Sequence, residues 1–166
     1  MSDSLDIIVG LVALNGGKLV GKTRLQKATY LLDACGLNSG LDYEYHHFGP
    51  YSSDVADAAD IAEVLGRLSS EEKPGFHSVP YVTYRTDEEH PLALGDMGAT
   101  EITDKLSTMD RYSAIVLELA ATIHYLEHFE GFSATGAQEE VRARKTAKAS
   151  AERLSLANEL LKKLGL

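Results

Sequence analysis

Tyr112, Val116, Leu119, Ile123 and Leu126 recur at spacings of four, three, four and three. That period puts all five on one stripe of an α-helix, and such a stripe is stable only when other helices cover it. The chain is therefore expected to build a helical layer around this segment. At 166 residues it suits a single domain, 1–166, with a core that needs no staples. Its hydrophobic content of 44% and charged content of 25% are those of an ordinary globular protein.

The remaining pattern predicts five helices and a little sheet, a mostly α, α+β architecture. Leu5 to Leu14 is almost continuously apolar, so period alone does not separate a buried helix from a buried strand. A second helix is expected from Thr23, which can cap it with Gln26 as the reciprocal partner of a capping box. Leu25, Ala28 and Leu32 give it one apolar face, and Gly36 is placed to end it. Tyr43 to Phe48 reads as extended, with one of His46 and His47 facing inward, and Gly49-Pro50 as a turn. Ser52 or Ser53 then caps a third helix, on which Val55, Ala58, Ala59, Ala62 and Leu65 form a narrow apolar face that invites close packing.

Residues 66–100 read as a β and loop insertion. Phe76 to Tyr84 is aromatic and β-branched, but Pro80 demotes it to an edge strand or two short ones. Asp87 to Gly98 reads as a surface loop. Residues 107–166 supply C-terminal helices: the one bearing the seam, a break over Gly131 to Gly136, and a last helix from about Glu139 to Leu164. The first three helices followed by a hairpin give the N-terminal half a winged-helix-like order.

Two regular expressions invite a chemistry. Gly16-Gly17-Lys18-Leu19-Val20-Gly21-Lys22-Thr23 matches the phosphate-loop pattern G-x-x-x-x-G-K-[ST], with Lys18, Lys22, Arg24 and Lys27 as candidate phosphate or nucleic-acid contacts. Such a loop needs a strand before it, a helix after it and a series of parallel strands beside it. The helix is present, the strand is arguable, and the series is missing. His124-Tyr125-Leu126-Glu127-His128 matches H-x-x-E-H. Its histidines share a helix face, but that face points away from the seam toward solvent or a partner. A catalytic zinc would also need a third ligand in an enclosed cavity. No metal site or cofactor is expected. Cys35, the one cysteine, reads as a small buried hydrophobe. With no leader or spanning segment recognisable, the expected location is the cytoplasm.

The net charge of −9 opposes nucleic-acid binding by the whole surface. The charge is uneven: the early basic group just named stands against an acidic run that includes Asp54, Asp57, Asp60 and Glu63. Solvated helix faces account for most of it.

Lys22-Thr23-Arg24-Leu25-Gln26-Lys27 with Tyr30-Leu31, followed by Tyr45-His46-His47-Phe48-Gly49-Pro50-Tyr51-Ser52-Ser53-Asp54, resembles the YwgA-like proteins. It is more distantly similar to the Panacea, or SocA-like antitoxin, domain. The likeness covers residues 18–65. It implies a compact helical fold with a small β element and, in the antitoxin branch, neutralisation of a toxin by binding, or an adaptor role in proteolysis. That branch carries Gly-Pro-Val where this chain has Gly49-Pro50-Tyr51, so the chain sits closer to the YwgA-like branch. No catalytic residue transfers. Three expectations follow. The first is a non-enzymatic module that binds a protein partner, a cognate toxin or defence component, through Phe48, Pro50 and Tyr51. The second is a winged-helix DNA binder, and the third a phosphate-loop NTP-binding protein.

Overall fold

The apolar run at the N-terminus folds as a helix, α1 (Ser4–Leu14), buried from Ile7 to Leu14 on every side. A computed structural model describes residues 3–75 and 79–166; Phe76, His77 and Ser78, the start of the expected β run, lie outside the described residues. After α1 come β1 (Lys18–Val20), α2 (Lys22–Ala34), β2 (Glu44–His46), β3 (Gly49–Tyr51) and α3 (Ser53–Val64). Next are β4 (Ser69–Lys73), β5 (Tyr81–Arg85), β6 (Ala93–Leu94) and β7 (Met97–Gly98). The chain closes with α4 (Ala99–Asp110), α5 (Ala114–Phe129), α6 (Ala134–Arg144) and α7 (Ala151–Leu164). The result is an α+β fold with seven helices among the described residues and three small antiparallel sheets.

The helix carrying the seam is the hub. α5 packs against α2, α6, α7 and β3, and Val116, Leu119, Ile123 and Leu126 are all buried. Ser113 caps it by accepting a hydrogen bond from the Val116 amide. α3 behaves as its small residues suggest. Val55, Ala58, Ala59 and Ala62 are buried, the helix lies along α1, and Ser52 is its cap, accepting from the Val55 amide. Leu65, expected on that buried face, is exposed, because the helix has already ended at Val64.

The sheet departs from expectation. β5 is the central strand, between β1 and β4, rather than an edge. Pro80 causes no conflict, since the strand begins at the next residue and the proline sits in the connection before it. Lys18 to Val20 pairs with Thr83 to Arg85. The polar stretch before Ala99 is a loop closed by the β6–β7 hairpin.

Two helical corrections concern the C-terminal third. α4 was not expected, although Ile102, Leu106 and Met109 repeat the four-and-three spacing and are buried. The long last helix is two: α6 starts at Ala134, so Gly136 lies inside it, and the chain breaks between Arg144 and Ala151. The break has a cause. Lys145 turns inward and its Nζ donates to Glu118 Oε1 at 2.6 Å and to the His47 carbonyl at 2.9 Å. Lys148 reaches the same carboxylate at 3.0 Å. Glu118, 2% exposed in the middle of α5, is thus held by two ammonium groups.

Removing the charge on one partner of such a buried pair strands the other. Glu118→Gln should cost about 3–5 kcal/mol of unfolding free energy in urea titration. The conservative exposed change Glu139→Gln should leave the urea midpoint in place.

Candidate functional site

The two signature segments meet, and most of their polar side chains are spent on joining each other. Gln26 on α2 donates from Nε2 to the Ser52 carbonyl and accepts from the Ser52 amide, both at 2.9 Å. Lys27, 1% exposed, donates from Nζ to the Pro50 carbonyl at 2.6 Å. Lys145 holds the His47 carbonyl from the other side. The β2–β3 hairpin is therefore pinned by three side chains from two helical regions. Its turn is His47-Phe48, not Gly49-Pro50, which belong to β3. Gly49 has φ +86°, and a Cβ there would strike Thr122 Oγ1, so this strand lies directly on α5.

The pinned hairpin forms one wall of a cleft of about 260 Å³. α2 contributes Lys22, Leu25 and Lys27, α3 contributes Val55, Ala56, Ala59 and Asp60, and Tyr84 comes from β5. Phe48 and Tyr51 form the lip. Phe48 is 55% exposed, with Lys148 Nζ 4.5 Å from its ring centroid. Tyr51 is half-buried and stacks on His46 at 4.6 Å. The lining is mainly apolar, with Lys22 and Asp60 as the exposed charges at its edge. Burial, then Glu63 and Asp60, push the Tyr84 phenol up to about 12, so it stays a neutral hydrogen-bonding group.

Of the candidate partner contacts, Phe48 and Tyr51 reach this cleft, whereas Pro50, in β3 itself, is buried and offers its carbonyl to Lys27. Of the candidate phosphate contacts, Lys18 and Lys22 are exposed. Arg24 is not available: its guanidinium donates to the Met109 and Tyr112 carbonyls, closing the C-terminal end of α4. Lys27 is the buried group just described. Thr23 is not a cap either. Gly21 occupies that position with no side-chain bond, and Gln26 is committed to Ser52.

The Gly16–Thr23 octet does not form a phosphate cradle. A helix precedes it, and its glycine turn is committed elsewhere: Gly17 donates to Val12, residues 18–20 pair with β5, and Gly21 donates to Val82. The expected inward and outward histidines are both exposed, because the hairpin bends away at His47. His124 corrects the reading that both H-x-x-E-H histidines face outward. It is buried, its Nδ1 is 2.7 Å from Tyr30 Oη, and burial, then His128, hold its pKa down at about 4. Cys35 is half-buried, and its thiol points at the Leu164 carbonyl. Among the described residues no cluster of three or more metal-binding side chains forms, and no helix is long and apolar enough to cross a membrane.

Val55 and Ala59 had a sequence signal in the small-residue face of α3. Tyr84 had none, because only the β1–β5 pairing brings it to α2.

Burial, with Lys145 and Lys148 nearby, pushes Lys27 down to about 8 from its ordinary 10.5, against the opposing pull of Glu118. The unfolded chain then binds more protons than the folded one between those values, so Lys27 makes stability rise with pH across that window. Lys27→Met should remove this contribution. The difference in urea midpoint between the unmodified protein and the variant, measured on both sides of the window, should shift toward the unmodified protein as pH rises.

No protein-family model matches the chain. It is similar to the uncharacterized protein YwgA of Bacillus subtilis (strain 168), 25% identical over 118 residues that span 70% of each chain. That likeness supports a distant YwgA-like relationship, and the signature segments acquire a structural meaning beside it: they are the two halves of one clasp.

Proposed function

We propose that the chain is a non-enzymatic protein-interaction module, antitoxin-like or adaptor-like, whose cleft receives an apolar side chain of a protein partner. The observation that carries this reading is the exposed aromatic lip, Phe48 and Tyr51, standing over the apolar cleft on a hairpin that is already rigid. Interface energy concentrates on aromatic anchors in well-packed pockets, and a pre-ordered lip loses little entropy on binding. The cleft, about 260 Å³, is below the usual range for drug-sized ligands. It suits a single large side chain. A second apolar patch, Ile61, Val64 and Leu65, lies exposed on the outer face and C-terminal end of α3 and would widen the contact. The resemblance of residues 18–65 to the Panacea domain, read from the sequence, favours a toxin or defence component as that partner, and the cytoplasm is the expected setting.

A DNA-binding reading has one observation in its favour. The order α1, β1, α2, β2, β3, α3, β4, β5, with β1 paired to β5, resembles a winged-helix order interrupted by the β2–β3 hairpin before α3. The helix that would enter the groove carries Asp54, Asp57 and Asp60 exposed, and the wing strand carries Glu71 and Glu72. These carboxylates repel phosphate, so the protein partner is preferred.

Phe48→Ala should weaken capture of the natively expressed partner at least tenfold and leave the thermal midpoint close to that of the unmodified protein. A natively expressed protein recovered alone would sink the reading. Neither duplex DNA below micromolar concentration nor ATP with magnesium should bind or stabilise the protein. Salt-dependent DNA binding would reverse the ranking, and ATP stabilisation lost in Lys22→Ala would revive the nucleotide reading.

A further inference from the structure

A second cavity, of about 300 Å³, takes its walls from the C-terminal ends of α2 and α5 and from the connection that leads to β2. Both helix ends contribute partial negative charge. Asp33 and Asp42 add two carboxylates, and among the described residues no lysine or arginine lines the cavity. Asp33 is fixed by three donors: the Ser39 amide at 2.8 Å, the Ser39 hydroxyl, and the Tyr43 hydroxyl at 2.8 Å. A carboxylate offers about four acceptor positions, so one stays open. Phe129 stacks on Tyr125 through one face, 5.0 Å between centroids, and at 67% exposure keeps its other face for a ligand.

One buried polar group opens into this space. His124 is 8% exposed. Tyr30, 2% exposed, has no acceptor for its hydroxyl among the described residues except His124 Nδ1, at 2.7 Å, so Oη–H donates there. Burial keeps the ring neutral, and its proton then sits on Nε2. That Nε2–H has no partner among the described residues, and no buried side-chain nitrogen there lacks one, so it faces the cavity. The occupant must therefore bring a positive charge for the carboxylates and an uncharged acceptor for the imidazole. We propose that the cavity receives an arginine side chain of a protein partner, with a neighbouring peptide carbonyl on His124 Nε2–H. A guanidinium matches the open carboxylate positions and stacks on an aromatic face, which a compact ammonium does less well. The net charge of −9 favours a basic partner surface. This cavity shares no lining residue with the hairpin cleft.

The test is a titration of the ¹⁵N-labelled protein, followed by NMR, with the capped tripeptide acetyl-Gly-Arg-Gly-amide. The control peptide carries citrulline, the uncharged isostere, in place of arginine. The imidazole spectrum of His124 should show the proton on Nε2 before peptide is added. The arginine peptide should shift the His124 ring signals saturably at millimolar concentration, and the citrulline peptide should bind at least tenfold more weakly. Asp42→Asn and Phe129→Ala change exposed residues, so both should keep the fold, checked by circular dichroism, and both should weaken the arginine peptide severalfold. Phe48→Ala should bind it as the unmodified protein does, so this proposal and the cleft reading fail separately. An unprotonated Nε2, no saturable shift, equal binding of the two peptides, or full affinity in both variants overturns the proposal.

Discussion

A carboxylate placed in the middle of an apolar helix organises this fold. Glu118 has no water to solvate it, and a lone charge there would cost far more than the domain's net stability. It is tolerated because Lys145 and Lys148 are brought to it from the C-terminal third. Satisfying that one group breaks what would otherwise be a continuous last helix, swings α6 and α7 onto α5, and places Lys145 where it also grips the hairpin turn. Lys27, from the opposite side, completes the hold on the same hairpin. The geometry of the cleft is a by-product of how one buried charge is compensated.

The helical frame was largely legible. The seam of α5, the small-residue face of α3 and the Ser52 cap are local signals, and local signals survive into tertiary structure when nothing competes with them. Competition is what hid the rest. Thr23 and Gln26 look like a capping box, but Gln26 finds a better pair of partners on Ser52, 26 residues away. Lys27 looks like a surface charge until the Pro50 carbonyl is folded over it. His124 lies off the seam of α5, yet α2 covers that flank as well and Tyr30 takes its Nδ1. None of these pairings leaves a trace in sequence spacing, because each joins segments that only the assembled fold makes neighbours. α4 is different: its spacing was there in Ile102, Leu106 and Met109, and the surrounding polar residues obscured it.

The same pairings explain why the signature stretches speak to architecture more than to activity. Arg24, Gln26 and Lys27 are consumed in binding one segment of the chain to another, leaving Lys22 as the exposed cation of that run. What remains exposed beside the cleft is contributed by aromatic residues at the hairpin and by the wall behind them. A likeness that rests on the clasp can therefore persist while the residues of the lip change.

The bond from Lys145 to the His47 carbonyl spans 98 residues of sequence. Contacts of such separation close late, after the loop entropy between them has been overcome. During synthesis the N-terminal segment emerges first, and its hairpin must wait for the C-terminal third before its turn is held from both sides. The hairpin turn is thus among the later parts of the molecule to be fixed. A chain still on the ribosome therefore has the helices around the cleft before it has the fixed lip at the cleft's edge.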